Sequence, residues 1–453
     1  MKKLAIGALS AGALAVAAVL GTSYYMGAHI QQALEDMANS WTSEDGFSVQ
    51  VLEYDRGITH SYAKTLWSFA SGEETYDLTV THDIVHGPWA MGKAAKVVSR
   101  FVLPQDSEPQ LLEALREKAP LEWTTTASWS GETAHTLFSP NFTTKFEDGS
   151  TLTWGGLSAQ WTLSAQRTSA KGLIQMPVLR VNVEDGSSMD LEGTEISFDA
   201  HVPASFNFWN GPSTMKVGML AVHNTETQSD WKLQGLHIQS DSSLQDNLVQ
   251  MGLDAHIAKV DVPEFSLGNM ALEMHVKQVD ATWLSAFLLW IQRNSENGDQ
   301  STDLLRSLPV LLAGKPEIAI TRLALETAEG PAEMRARIAY AGKTPEALNP
   351  LTDLHIQMHA QVPKIIMAQL FDAKVRSDYL ELLEQLEQEW DEEQLQTAVN
   401  DGVGKRIKGL LELGAIKDSG TLFSADAELK EGEFTLNGQP SELRNLLQMG
   451  GAI

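Results

Sequence analysis

The side chains able to do chemistry are thinly spread through this chain, and their spacing argues against most reactions. Twelve histidines occur, but none stands in an HExxH pair, the helical arrangement that holds zinc beside a general base. His355 and His359 lie in an alternating segment. Four residues apart on a strand, they share a face but sit about 13 Å apart, too far for one metal ion to take both directly. His82, Asp83 and His86 come nearest to a ligand cluster, with a satisfied or solvent-facing histidine pair as the plainer reading. The segment GPWAMGK, residues 87–93, copies the start of a phosphate loop, yet Ala94 replaces the magnesium-binding hydroxyl and Pro88 removes an N–H. It reads as a chance match.

No GxSxG elbow and no GxGxxG fingerprint occurs. Without cysteine, thiol catalysis and disulfides are impossible. The carboxylates between Glu384 and Glu393 sit in a helix-forming stretch and read as a solvated face. Carboxylate pairs for hydrolysis exist in any acidic chain, so that chemistry alone stays open. The expectation is a protein that is not an enzyme, with no catalytic residues, no cofactor and no metal. Thirty-three basic against fifty-nine acidic side chains give a net charge of −26. Such a balance excludes nucleic acid as a broad partner and disfavours anionic headgroups.

The elements that would have to position any site come in blocks. Residues 29–42 read as a short helix, with Ile30, Leu34 and Met37 at helical spacing. From Phe47 the pattern alternates, and Asp55-Arg56-Gly57 supplies a hairpin turn in which Gly57 takes positive φ. A strand follows over 76–89, which His86-Gly87-Pro88 should end because proline cannot donate to a ladder; Trp89 should cover the adjacent core. A short helix over 105–118 carries Leu111, Leu112 and Leu115 inward.

Residues 121–276 alternate almost throughout and read as a long antiparallel meander. Within it, DGSTLTWG from Asp148 and DGSSMDLEG from Asp185 repeat a turn, a strand and a glycine that allows a bend. Trp123, Trp129, Trp154 and Trp161 fall on these strands and suit either a core or a groove lining. Helices are expected over 280–294, 302–314 and, as a pair, 364–387 and 391–413, with strands between 315 and 363, a hairpin after the pair and a short helical tail at 441–449.

Ahead of all this stand Lys2, Lys3 and then Leu4–Met26, a run with no charged side chain. At about 1.5 Å per residue it is long enough to span a bilayer, with the lysines inside and Tyr24 and Tyr25 at the far interface. A cleaved signal peptide is the rival, cut after Ala15-Val16-Ala17, but it would leave a second apolar run on the product. Small residues every fourth position, Gly7, Ala11 and Ala15 and again Ala13, Ala17 and Gly21, would let two such helices pack as a homodimer; a plain alanine-rich span is the alternative.

Three local texts, YDRGITHSYA (54–63), VHGPW (85–89) and GEFTLNGQP (432–440), taken in order behind that run, resemble the bacterial YdgA-like family of unknown function. The resemblance covers the whole chain and implies a cell-envelope protein held in the inner membrane with its bulk in the periplasm. It carries no catalytic residue. The motif residues Tyr54, Arg56, Gly57, His86, Gly87, Pro88, Asn437 and Gly438 read as structural, with Asn437-Gly438 the strongest turn signal.

The combined expectation is an α+β fold: an N-terminal transmembrane helix (1–30), then a large, mostly antiparallel β-sheet body with covering helices. That body comprises a β-rich region (31–279) and an α+β region (280–453). Its partners would be the inner membrane and a lipid or envelope protein. Two roles are open: a structural or interaction role in the envelope, or a lipid-binding role using a groove in the sheet.

Overall fold

The computed structural model describes residues 22–441, apart from 24, 37, 40–46, 72–73, 105–106, 117, 264, 295–300 and 386–390. The run Leu4–Gly21, Tyr24, the loop after Asn294 and the helical tail expected at 442–449 fall outside the described residues. Helix α1 covers residues 25–36, with Thr22 and Ser23 helical just before it. The described chain forms two compact units. The first ends at Ala204 and takes back Ser213–Trp231; the second consists of Ser205–Pro212 and everything from Lys232.

In the first unit, β1 (Phe47–Arg56), β2 (His60–Ser71), β3 (Glu74–Ala90) and β4 (Lys93–Val102) pair successively as antiparallel hairpins. After α2 (Pro109–Leu115), β5 (Glu122–Ala127) and β6 (Thr133–Ser139) continue the sheet. The hairpin of β7 (Phe142–Lys145) and β8 (Thr151–Trp154) is set aside, and β9 (Leu157–Leu163) pairs directly with β6. Then β10 (Ser169–Asn182) spans both β9 and β8, and β11 (Ser188–His201) and β12 (Ser213–Asn224) complete the unit.

Both DGS segments form the same turn. Asp148 accepts from Ser150 N at 2.9 Å and Asp185 from Ser187 N at 2.8 Å, with the central glycines at φ +88° and +92°. The second later reaches Gly193 at φ +66°; in the first, Gly155 keeps negative φ and the positive φ falls on its neighbour Gly156, just past the end of β8.

The second unit is a meander of β13 (Ser229–Gln245), β14 (Leu248–Val262), β15 (Phe265–Asp280), β16 (Glu317–Thr327), β17 (Gly330–Tyr340) and β18 (Leu354–Pro363). Two helical excursions interrupt it: α3 (Ala281–Asn294) with α4 (Ser301–Ala313), and, after the single turn α5 (Pro350–Asp353), α6 (Lys364–Gln385) with α7 (Glu392–Glu412). Asp280 starts α3 by accepting from the main-chain N–H groups of Thr282 and Trp283, at 2.9 and 3.0 Å. Beyond α7, β19 (Lys417–Ser419) and β20 (Leu422–Lys430) return the chain to the sheet, β20 pairing with β18. The hairpin β21 (Glu433–Leu436) with β22 (Gln439–Pro440) closes it.

This architecture overturns the expected α+β fold with a transmembrane helix. The body is mostly antiparallel sheet, and among the described residues no helix is long and apolar enough to cross a membrane. Residues at the end of the apolar run are committed elsewhere: Ser23 is fully buried against β3, so this turn faces protein.

The covering helices are also fewer than expected. Helices α6 and α7 bury Val375 and Leu383 against Leu395, Val399 and Val403, building a core of their own. Helices α3 and α4 pack on the sheet, where Ala281 and Leu284 meet Val249 and Val279 with Met251, Val276 and Leu311 alongside. The other half of that core is Phe208, backed by Phe206, from the segment between β11 and β12.

Candidate functional site

The first motif residues converge on α1. The Tyr54 hydroxyl donates to the Gly27 carbonyl at 2.9 Å, and Ser23 Oγ donates to the His86 carbonyl at 3.1 Å. Both contacts need bare backbone. A Cβ on Gly27 would stand 3.0 Å from His86 Nε2, and one on Gly87 would stand 1.9 Å from Ser23 Oγ, with Gly87 already at φ +71°. The aliphatic part of Arg56 lies beside Gly27 as well. Tyr54, Arg56, His86 and Gly87 therefore make a seat for the N-terminal helix, and burial pushes the Tyr54 phenol above its usual range.

Three local expectations change here. Gly57 does not adopt positive φ; a side chain is forbidden there because a Cβ would stand 2.1 Å from the His60 carbonyl oxygen. Strand β3 does not stop at His86-Gly87-Pro88 but runs on to Ala90 through a break in register, so the residue that cannot donate sits in a bulge. The Pro88 side chain lies outside the described residues. Trp89 is exposed and covers no core. The chance phosphate-loop match is the β3–β4 turn, with Met91 and Gly92 at φ +56° and +78°.

The histidines flanking this turn are buried core groups. His82, 3 % exposed, has Thr65 Oγ1 at 2.9 Å from Nε2 and Ser99 Oγ at 2.8 Å from Nδ1. Burial drives its pKa from the ordinary 6.5 to about 4. His86 is 0 % exposed; Nε2 meets Ser61 Oγ at 3.1 Å, and among the described residues Nδ1 makes no hydrogen bond of ordinary geometry. Across the same face His135 meets Thr125 and Thr133, accepts from Trp123 Nε1, and stacks on Trp161 with centroids 4.9 Å apart. Trp123 and Trp161 are thus half-buried around His135, and Trp154, also half-buried, donates to Ser139; Trp129 is exposed in a turn. Sequence spacing did not reveal the His82–Ser99 and His86–Ser61 pairs, because they join different strands across the ladder.

Asn437 and Gly438 lie in the second unit and do not join this seat. They form the expected two-residue turn, at φ +51° and +78°. The Asn437 side chain also accepts from Asp426 N at 2.9 Å and donates to the Gly414 carbonyl at 2.6 Å, tying the end of α7 to the hairpin. His355 and His359 separate as expected, pairing with Glu428 at 3.0 Å and Asp426 at 2.6 Å. Those pairs and Arg337–Glu317 belong to one charged face, where a concavity of about 480 Å³ is lined by Arg335, Arg337, His359, Asp426 and Glu428. Among the described residues no group of three or more His, Asp or Glu is placed to hold a metal ion.

The opposite face of this sheet is apolar in register. One row across β14, β15, β16, β17, β18 and β20 reads Ala255, Leu272, Leu323, Met334, Ala360, Ala425. The next reads Leu253, Met274, Ile320, Ala336, Met358, Ala427, and the third Met251, Val276, Ile318, Ile338, Ile356, Leu429. No polar side chain interrupts them. At about 4.8 Å between strands and about 6.8 Å per two residues, the patch measures roughly 24 by 14 Å. Helix α3 with Phe206 packs against Met251 and Val276 at one corner. At the β16–β18 end Ile318, Ile338 and Met358 remain 48 %, 44 % and 40 % exposed.

No curated protein and no solved structure matches the chain. A family match covers residues 1–444, so the protein that combines this helix seat with this half-open apolar sheet belongs to the family DUF945, bacterial proteins of unknown function.

Proposed function

We propose that this protein is an envelope protein of the YdgA-like kind, held at the inner membrane with its body in the periplasm, whose second unit binds an extended acyl chain. The observation that carries the reading is the three uninterrupted apolar rows, left open at Ile318, Ile338 and Met358. The exposed part of these rows, Ile318, Leu323, Ile338 and Met358 across β16–β18, is an apolar opening in an otherwise acidic protein and marks an interaction site. The open part spans three strands, about 10 Å, enough for a segment of an acyl chain laid across them. The face supplies no charged or nucleophilic side chain, which suits holding a ligand without transforming it. The uncharged run after Lys2 and Lys3 supports retention at the membrane.

Photocrosslinking in growing cells tests the ligand. A benzophenone side chain at Ile338 is expected to capture lipid, and one at Arg337, on the opposite face, is not. Equal capture at both positions, or none at Ile338, would remove the groove. For location, protease added to spheroplasts should digest the body; full protection would overturn the periplasmic assignment. A second reading, docking of another envelope protein, has its own support in Leu288, Leu289 and Ile291 exposed on α3. Protein adducts from Ile338 in place of lipid would favour it.

A further inference from the structure

We propose that the end of the first unit beside Ser23 is a membrane foot, on which Ile58, Trp89, Met91 and Trp129 enter the lipid interface next to the uncharged N-terminal run. The inference rests on the membrane reading of Leu4–Met26 and adds a second contact between the first unit and the bilayer.

Strand polarity gathers these residues. Neighbouring strands are antiparallel, so the β1–β2, β3–β4, β5–β6 and β9–β10 turns fall at one end of the sheet, as the pairings His60–Val85, Ala90–Lys93, Ala95–Ala127 and Thr133–Leu163 require. At that end Ile58, Trp89 and Trp129 are each 53 % exposed and Met91 is 93 % exposed. Trp129 Nε1 donates to the Gly92 carbonyl at 2.9 Å, which ties the β5–β6 turn to the β3–β4 turn. Large apolar side chains and indole rings left open together at turn tips suit the boundary between headgroups and acyl chains better than they suit water.

The N-terminal run meets the body at the same end. Ser23, three residues before the run closes at Met26, donates to the His86 carbonyl and packs over Gly87. Trp89 follows two residues later, about 7 Å along the strand. Gly27 touches Tyr54, Arg56 and His86, which stand farther from the β3–β4 turn, so α1 leads away from that turn and Ser23 is its nearer end. A bilayer holding the residues that precede Thr22 therefore lies on the side of the exposed tips.

Charge divides the unit in the same direction. Within one residue of the four turns stand Arg56, Lys93 and Arg167 against Glu132. The β7–β8 and β10–β11 turns at the opposite end carry Glu147, Asp148, Glu184 and Asp185 against Lys145, with Val183 exposed among them. The basic end suits a surface containing anionic lipid, and the acidic end is repelled by one.

The chain has no cysteine, so a single introduced thiol takes a dye without background. Full-length protein with bimane at Met91→Cys or at Glu184→Cys is reconstituted in vesicles of phosphatidylethanolamine and phosphatidylglycerol, part of the lipid bearing a doxyl quencher near the headgroup. Flotation with the vesicles reports the anchor, and quenching reports the foot. The protein is expected to float, with bimane at Met91 quenched several-fold more than at Glu184. Adding Trp89→Ser and Trp129→Ser, both half-exposed positions, should leave flotation and far-UV circular dichroism unchanged and lower quenching at Met91 towards the Glu184 level. Floating protein quenched equally at Met91 and Glu184, or quenching at Met91 that the serine variants leave intact, would overturn the foot while the anchor stands. Protein that fails to float would overturn the anchor and the foot with it.

Discussion

The two units build the same secondary structure and use its inner face in opposite ways. In the first, Val80, Ile84 and Ala63 are buried to about one per cent or less, and the polar groups among them are closed into pairs: Thr65–His82–Ser99, Ser61–His86 and Thr125–His135–Thr133. In the second, the equivalent rows contain no polar side chain at all, yet Ile318, Ile338 and Met358 stay open. A closed face can hold neutral histidines because each nitrogen but one has a hydroxyl or indole partner, and water has no path to compete. An open apolar face gains nothing from such pairs and is suited to a ligand that brings no polar groups. The difference separates a region built for stability from one built for contact.

Matched substitutions test that contrast most directly. Ile84→Ala, in the closed face, should cost about 2–5 kcal/mol in urea unfolding followed by tryptophan fluorescence. A loss below about 1 kcal/mol would show that this face is not a packed core.

The next effect is from pH. Unfolded His82 takes up a proton near 6.5 and the folded residue only near 4. Between those values the unfolded chain binds more protons, so stability falls as pH drops through that window, by about 3 kcal/mol in total. Hydrogen exchange should show β2–β4 losing protection there while β16–β18 keep theirs. Parallel loss in both units would erase the distinction.

Asn437→Ala, which removes the ties to Gly414 and Asp426, is expected to cost about 1–2 kcal/mol, localised by hydrogen exchange to β20 and β21. Smallest is Ile338→Ala in the open face, which should change stability by less than about 1 kcal/mol because that side chain is already 44 % exposed. The same variant should lower capture of lipid by a crosslinker placed at Met358. A stability loss as large as that of Ile84→Ala would mean the row is a closed core after all.

Much of this was readable in the residue order. Alternation marked the strands, the two DGS turns and the Asn437-Gly438 turn appeared where their residue chemistry demands positive φ, and the two late helices kept their bounds to within a few residues. Other readings failed for identifiable reasons. Pro88 predicts the end of β3, but a bulge lets the strand continue past it. Helical spacing of apolar residues suggests covers for the sheet, whereas α6 and α7 satisfy that spacing by facing each other. Nothing in NFWNG announced that Phe208 would complete the core of α3, β14 and β15, since that contact joins segments far apart in the chain.

Composition and local pattern settled the questions that depend on neighbours within a few residues: an uncharged opening run, an acidic body without thiols, strand after strand of alternating side chains, and turns at glycine and asparagine. Which histidine lost its water, which glycine had to be bare and which apolar row stayed open were decided only by the tertiary structure. Burial and pairing depend on partners that the ladder and α1 bring from distant positions, as when Ser23 closes over Gly87. A single strand's alternation says that one face is apolar and is silent on what, if anything, comes to cover it.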